Sequence, residues 1–172
     1  MCLRLHQIDE LPDPQVLFEF VAFLDLPSRT AARFELAVNG PLDLLAEHGW
    51  SPVDAMSVSR SLWDYRDFIQ DSKAEFGVAK HAYVSRRSGW FSDRTACYLA
   101  AGRPALVQDT GWSAHLPCGT GLVGFSTVDE ALAGLESIER DYDAHARQAR
   151  EVAREHFDAS RVLPTFLEAA RA

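Results

Sequence analysis

The sequence predicts an α/β domain: a Rossmann-like parallel sheet flanked by helices, with further helices closing the C-terminal end. Three observations carry that expectation. Short apolar runs alternate with stretches of helical periodicity, the pattern of strands joined by crossover helices. Glycine and proline punctuate the first two thirds, at Pro12, Pro14, Pro27, Gly40, Pro41, Pro52, Gly102, Pro104 and Pro117, whereas residues 127–161 contain only Gly134 and no proline. A composition of 47% hydrophobic and 24% charged residues over 172 positions fits one ordinary globular core.

Taken in order, Val16 to Leu26 is apolar and phenylalanine-rich and reads as a buried strand, although a helix of that length satisfies the same run. Pro41 opens a short helix with Leu42, Leu45 and His48 on one side, and Gly49 caps its end. Trp50 to Met56 is a short strand or a loop. Ser61 begins a helix in which Leu62, Tyr65, Phe68 and Ile69 recur at helical spacing, reaching about Lys73. Phe76 to Val84 mixes Val78 and Val84 with Lys80 and His81, and is expected as a strand leading into a loop. Ser92 caps a helix over Asp93 to Ala101. Gly102 ends it, Pro104 blocks its continuation, and Ala105 to Gln108 forms a short buried strand. Leu122 to Phe125 is another. Thr127 and Glu130 make a capping box for a helix that aligns Val128, Ala131, Leu132, Leu135 and Ile138. Residues 143–157 turn Ala149, Val152 and Ala153 inward, and Leu163, Phe166, Leu167 and Ala170 mark a last helix. Residues 1–15 form an unassigned N-terminal arm, and residues 16–172 a single Rossmann-like domain.

Several function classes fall away. A net charge of −8 repels phosphate backbones and argues against general nucleic-acid binding. No apolar run is long enough to span a bilayer, and the first residues lack the pattern of a secretory leader. Cys2, Cys97 and Cys118 are an odd set without a CxxC clip, which suits reduced thiols in a cytoplasmic protein. His115 and Cys118 offer a metal two ligands and no convincing second pair, so no metal is expected. They are too close together in a proline-bearing loop to make a nucleophile and its base. No GxSxG elbow supports a hydrolase triad. His145 and His156 sit on a charged helix and read as surface residues.

The informative stretch runs from Asp71 to Pro104, where six cations face three carboxylates and leave +3 inside an acidic chain. There SRRSGWFSDRT joins two arginines, a flexible Ser-Gly and a helix start, offering backbone N–H groups, a positive dipole end and guanidinium forks to a phosphate. Trp90 or Phe91 would cover a base or a sugar. A capped helix with an amphipathic lead-in explains these residues equally well. A second tract, QDTGWSAHLPCGTG, carries Asp109, Thr110 and Gly111, then Gly119, Thr120 and Gly121, in a loop of the kind that surrounds ligands at the carboxyl ends of parallel strands.

The order of these tracts is distinctive. AAGRP, ALVQD, TGW, GTGLVGF, STVDEALAGLESI and DYDAHARQAREVAREHF succeed one another within residues 71–163, and this order resembles the C-terminal, donor-binding half of GT-B fold glycosyltransferases. The segment from Tyr65 to Gly111 resembles more narrowly a bacterial subgroup with a SGWFSDR motif. The resemblance implies a nucleoside diphosphate sugar held as substrate, with no cofactor. It sets Lys80, Ser92, Asp93 and Arg94 beside the diphosphate and Asp109, Thr110 and Gly111 against the sugar or pyrophosphate. Gly119, Thr120 and Gly121 would form the pocket rim. Where larger retaining families carry a ribose-touching glutamate this chain has Cys97, and the usual acceptor-binding N-terminal half exceeds its length. It therefore implies a glycosyltransferase-like donor domain, inactive alone, with no catalytic residue assigned and a separate acceptor-domain protein as partner. The alternative is a non-catalytic nucleotide- or protein-binding module of the same descent. With Trp90, Phe91 and Trp112 in the cleft loops, exposed apolar surface also predicts a homodimer, unless Leu3, Leu5, Ile8 and Leu11 of the arm cover it.

Overall fold

A computed structural model describes residues 2–7, 14–39 and 42–171, the first of these segments by its backbone alone. Six strands, β1 (Cys2–Gln7), β2 (Arg33–Val38), β3 (Ser51–Asp54), β4 (Ala74–Gly77), β5 (Ala105–Gln108) and β6 (Leu122–Phe125), form one sheet. All pair in parallel in the order β3-β2-β1-β4-β5-β6. Helices α1 (Pro14–Val21), α2 (Leu42–Glu47), α3 (Ala55–Val58), α4 (Leu62–Asp71), α5 (His81–Ser85), α6 (Asp93–Ala100), α7 (Val128–Arg140), α8 (Tyr142–His156) and α9 (Ala159–Ala169) complete the chain. This is the α/β class expected. The strand order reverses between β1 and β4, so connections leave the sheet in opposite directions there and open a crevice at the carboxyl edge.

Residues 2–7, left unassigned in the sequence reading, are the strand between β2 and β4, where CLRLHQ alternates as a strand should. The run from Val16 to Leu26 is not a strand. Pro14 opens α1, and Val16, Phe20, Phe23 and Leu26 are buried at helical intervals, where a strand would bury every second residue. Phe18 is left 65% exposed on the other face. The strand of that region is β2, RFELAV, which buries Phe34, Leu36, Ala37 and Val38. A second difference is α5, where a loop was expected: the N–H groups of Tyr83 and Val84 both reach the Lys80 carbonyl, and Ser85 folds its hydroxyl onto His81. Gly40 and Pro41 lie outside the described residues, and α2 follows them, ended as expected by Gly49 at φ 85°.

The two faces of the sheet carry separate cores because side chains alternate along each strand. One holds Phe23, Phe34, Trp50, Phe76, Leu106 and Phe125, with the Phe76 and Phe125 rings stacked 5.3 Å apart. Ala105, Val107 and Leu122 on the other face meet Leu99 of α6, and Ala149 and Val152 of α8. Each large side chain buried this way contributes about 1.5–3 kcal/mol. By the same alternation Glu75 and Gly77 of β4 turn away from Phe76, toward α4 and α6. Among the described residues no helix is long and apolar enough to cross a membrane.

Candidate functional site

A cleft of about 240 Å³ opens at the carboxyl end of β4, beside the β1/β4 reversal. Its walls are Val16 of α1, Lys80 and Tyr83 at the start of α5, and Trp90 and Arg94. A narrower recess continues inward past Phe91, Ser92, Thr95 and Gln108. Of the residues singled out in the sequence, Lys80, Trp90 and Arg94 line the open cleft and Ser92 lines the recess behind it.

The segment after β4 is pinned on two sides. Gln108, buried at the end of β5, accepts the Ala79 N–H at 3.0 Å and donates to Glu19 of α1 at 2.7 Å. The other Glu19 oxygen meets His81 Nδ1 at 2.6 Å. α1, β5 and α5 are thus tied together at the mouth of the cleft. Tyr83 and Trp90 stack with centroids 4.9 Å apart and planes 12° from parallel, and Trp90 keeps 40% of its surface open.

Arg94 does not stand alone in the cleft. Its Nε donates to Glu75 Oε1 at 2.8 Å, Glu75 is fully buried, and 17% of the Arg94 side chain remains accessible. Burial by itself pulls the guanidinium pKa down, but the charge of Glu75 and the hydrogen bond to it more than reverse this, so Arg94 stays charged. Ser92 occupies the N-cap position of α6 in extended backbone, yet its hydroxyl makes no capping bond. The Arg94 N–H is taken by the Asp93 carboxylate at 2.8 Å. The expected Ser92 cap is thus replaced by a carboxylate one residue on, which suits the positive end of the helix.

Thr110 holds the 87–90 loop, and Asp109 braces its own turn while facing Arg87. The Thr110 hydroxyl donates to the Trp90 carbonyl, and its own carbonyl accepts the Gly89 N–H at 2.9 Å. Asp109 accepts from the Gly111 N–H and the Ser113 hydroxyl, both at 2.8 Å, and lies 3.4 Å from Arg87. Burial pushes the Asp109 pKa up, but the bonds from Ser113 and Gly111 and the charge of Arg87 outweigh it and hold the carboxyl below its ordinary range. Gly111 has φ 101°, and a Cβ there would lie 2.9 Å from the Arg87 carbonyl oxygen.

Gly119, Thr120 and Gly121 are not brought to the cleft. They precede β6, so they lie at the amino edge of the parallel sheet, opposite the site. There the Gly121 N–H donates to His145 Nδ1 at 3.1 Å, and a Cβ on Gly121 would fall 2.5 Å from the Ala149 backbone nitrogen of α8. His145 is accordingly buried rather than at the surface, and burial lowers its pKa. Trp112, expected in the cleft, lines its inner recess while remaining only 2% exposed, packed in the core under α6 and α8. Phe91 stacks on Phe157 at 5.2 Å.

Cys97 lines grooves on the outer side of α6, away from the cleft, and burial followed by the charges of Asp93 and Glu75 raises its thiol pKa. Cys118 accepts the Gly124 N–H through Sγ. Among the described residues no three His, Cys, Asp or Glu side chains gather as a metal ion requires. The sequence reading missed Glu75, Tyr83 and Gln108. Glu75 had a usable signal, since a carboxylate in a strand covered on both faces needs a partner.

No protein-family model and no curated protein sequence matches the chain. Among solved structures, a point mutant of S. aureus TarM in complex with fondaparinux, alpha-GlcNAc-glycerol and UDP superposes with a TM-score of 0.59 at 15% identity. The match covers 96% of this chain and 34% of that one, so this chain spans about a third of its neighbour's length. The likeness is one of fold: a Rossmann-like parallel sheet flanked by helices.

Proposed function

We propose that the cleft at the end of β4 binds the diphosphate of a nucleoside diphosphate or its sugar conjugate, as the donor-binding unit of a glycosyltransferase of the SGWFSDR subgroup. One observation carries this reading: Lys80 and Arg94, from separate elements, line the same small cleft at the strand-order reversal, next to the amino end of α6. Tyr83 and Trp90 provide a flat aromatic wall for a base or sugar. The TarM structure, which contains UDP, supports the choice of ligand class. An acceptor-domain protein or a second copy of this chain would supply the opposite wall.

A second reading, a binding module without turnover, is favoured by the lining itself. Among the described residues no carboxylate lines the cleft, which suits an anion and leaves no lining acid to serve as general base. Calorimetry against UDP, GDP, TDP and ADP tests the shared claim. A saturable heat with at least one is expected, and none with all four would overturn it. Incubation of the purified chain with labelled donor sugars and an acceptor panel separates the two readings, since transfer requires a catalyst. Sedimentation equilibrium addresses the homodimer: a mass of 19.1 kDa at every micromolar concentration refutes it.

A further inference from the structure

We propose that Glu75 is a positioning residue: it grips the Nε edge of Arg94 from inside the sheet and thereby aims the two Nη groups at the diphosphate in the cleft. The proposal rests on the binding reading above.

Glu75 sits in the middle of β4, a strand buried at every position, and its own exposure is zero. A buried carboxylate is expensive, and a space-filling apolar residue would serve stability at least as well. Among the described residues its carboxylate accepts one hydrogen bond, end-on, from Arg94 Nε to Oε1, rather than the two parallel bonds of a bidentate pair. Among the described residues Oε2 has no hydrogen-bond partner. A guanidinium is rigid and planar, so fixing Nε fixes the direction of both Nη groups. Arg94 lines both the open cleft and its inner recess. Behind the pair, Tyr98, one turn further along α6, is fully buried, which keeps water off Glu75 and the attraction undiluted. Arg94 is therefore two-ended, with one edge in the core and the other turned to the ligand.

This division of labour makes forecasts that charge alone reverses. Removing the negative charge of Glu75 raises the local positive potential, so simple electrostatics predicts tighter anion binding, whereas loss of aim predicts weaker binding. The full chain, as wild type, Glu75→Gln and Arg94→Lys, is titrated with UDP and with inorganic pyrophosphate, alongside melting curves and the NMR signal of the Arg94 Nε–H. Glu75→Gln should bind both probes about tenfold more weakly, with its Arg94 Nε–H signal broadened. Arg94→Lys should melt close to wild type, because one ammonium satisfies Glu75, yet bind about tenfold or more weakly, because that ammonium has no second edge; tenfold corresponds to about 1.4 kcal/mol. Unchanged or tighter binding by folded Glu75→Gln overturns the proposal, as does Arg94→Lys with wild-type affinity. A loss confined to UDP would move Arg94 away from the diphosphate and also overturns it. If Glu75→Gln does not fold, Arg94→Lys and the wild-type Nε–H signal still decide: a rapidly exchanging, unprotected Nε–H contradicts the grip. Wild-type protein that binds neither probe ends the binding reading and this inference together, whereas wild-type binding with indifferent variants ends this inference alone.

Discussion

The loops at 109–111 and 119–121 look alike as sequence, DTG and GTG flanking short apolar strands, but they lie at opposite edges of the sheet. Gly111 follows β5 and Gly121 precedes β6, and both are left-handed, at φ 101° and 81°. The first lets the backbone close on the Arg87 carbonyl and so shapes the mouth of the cleft. The second lets it close on α8 and so seats a helix. A glycine in a parallel α/β fold thus takes its meaning from the strand end it occupies: the carboxyl edge serves ligands and the amino edge serves packing.

Substitution at the amino edge should have the largest effect on stability. Gly121→Ala forces a Cβ against backbone that cannot swing aside, in a conformation alanine adopts at a cost, so unfolding should be easier by about 3–4 kcal/mol. A thermal melt reads this as a fall of roughly 10 °C, while nucleotide affinity of the folded protein stays unchanged. Equal damage to affinity would blur the contrast between the edges. Gly111→Ala meets a loop carbonyl that can yield, so about 2 kcal/mol of stability is expected to go. Here affinity should fall as well, because Arg87 to Trp90 must shift. Lys80→Ala, at the same edge, should weaken binding by about 1.5–3 kcal/mol, increasingly at low salt, with the melting temperature nearly unmoved.

The smallest effect is a pH dependence at the amino edge. The folded pKa of His145 lies below its ordinary value near 6.5, so the unfolded chain takes up the proton first on acidification. Its contribution is present above pH 6.5 and is lost as pH falls through the folded value. Melts between pH 5 and 8 should show this slope, and His145→Gln should flatten it. An identical slope in the variant would assign the effect elsewhere.

Much of the fold was legible wherever the signal is local. The Thr127 capping box, the Ser61 start of α4, and β5 and β6 between their breakers fall where expected, because caps and short apolar runs act within a few residues. α1 was misread because three phenylalanines between positions 18 and 25 would fit a strand or a helix, and only packing against Trp50 and Phe125 decides. In the site, Lys80, Arg94 and Trp90 announce themselves by charge and neighbours. Glu75 and Tyr83 acquire roles only when α6 lies over β4 and the 87–90 loop folds back on α5. Gly119 to Gly121 were misplaced although the remedy was at hand, since a loop running straight into β6 must sit at its amino end.

The strand order also divides the chain in a way that bears on how it assembles and breathes. β1, β2 and β3 come from the first 54 residues, and β4, β5 and β6 from residues 74–125, so each half-sheet forms between near neighbours in sequence. The halves are stitched together at β1 and β4, where among the described residues Leu3 with Ala74 and Arg4 with Glu75 are in register, against six such pairs between β1 and β2. Joining them is the step with the longest loop to close, and so the slow one in folding. In the native state the seam lies at the centre of the sheet beneath the Phe34 and Phe76 rings, so its amides should exchange among the slowest, through global opening. Val16 of α1 and Arg94 of α6 line the cleft from the two halves, so a ligand held there would clasp them together.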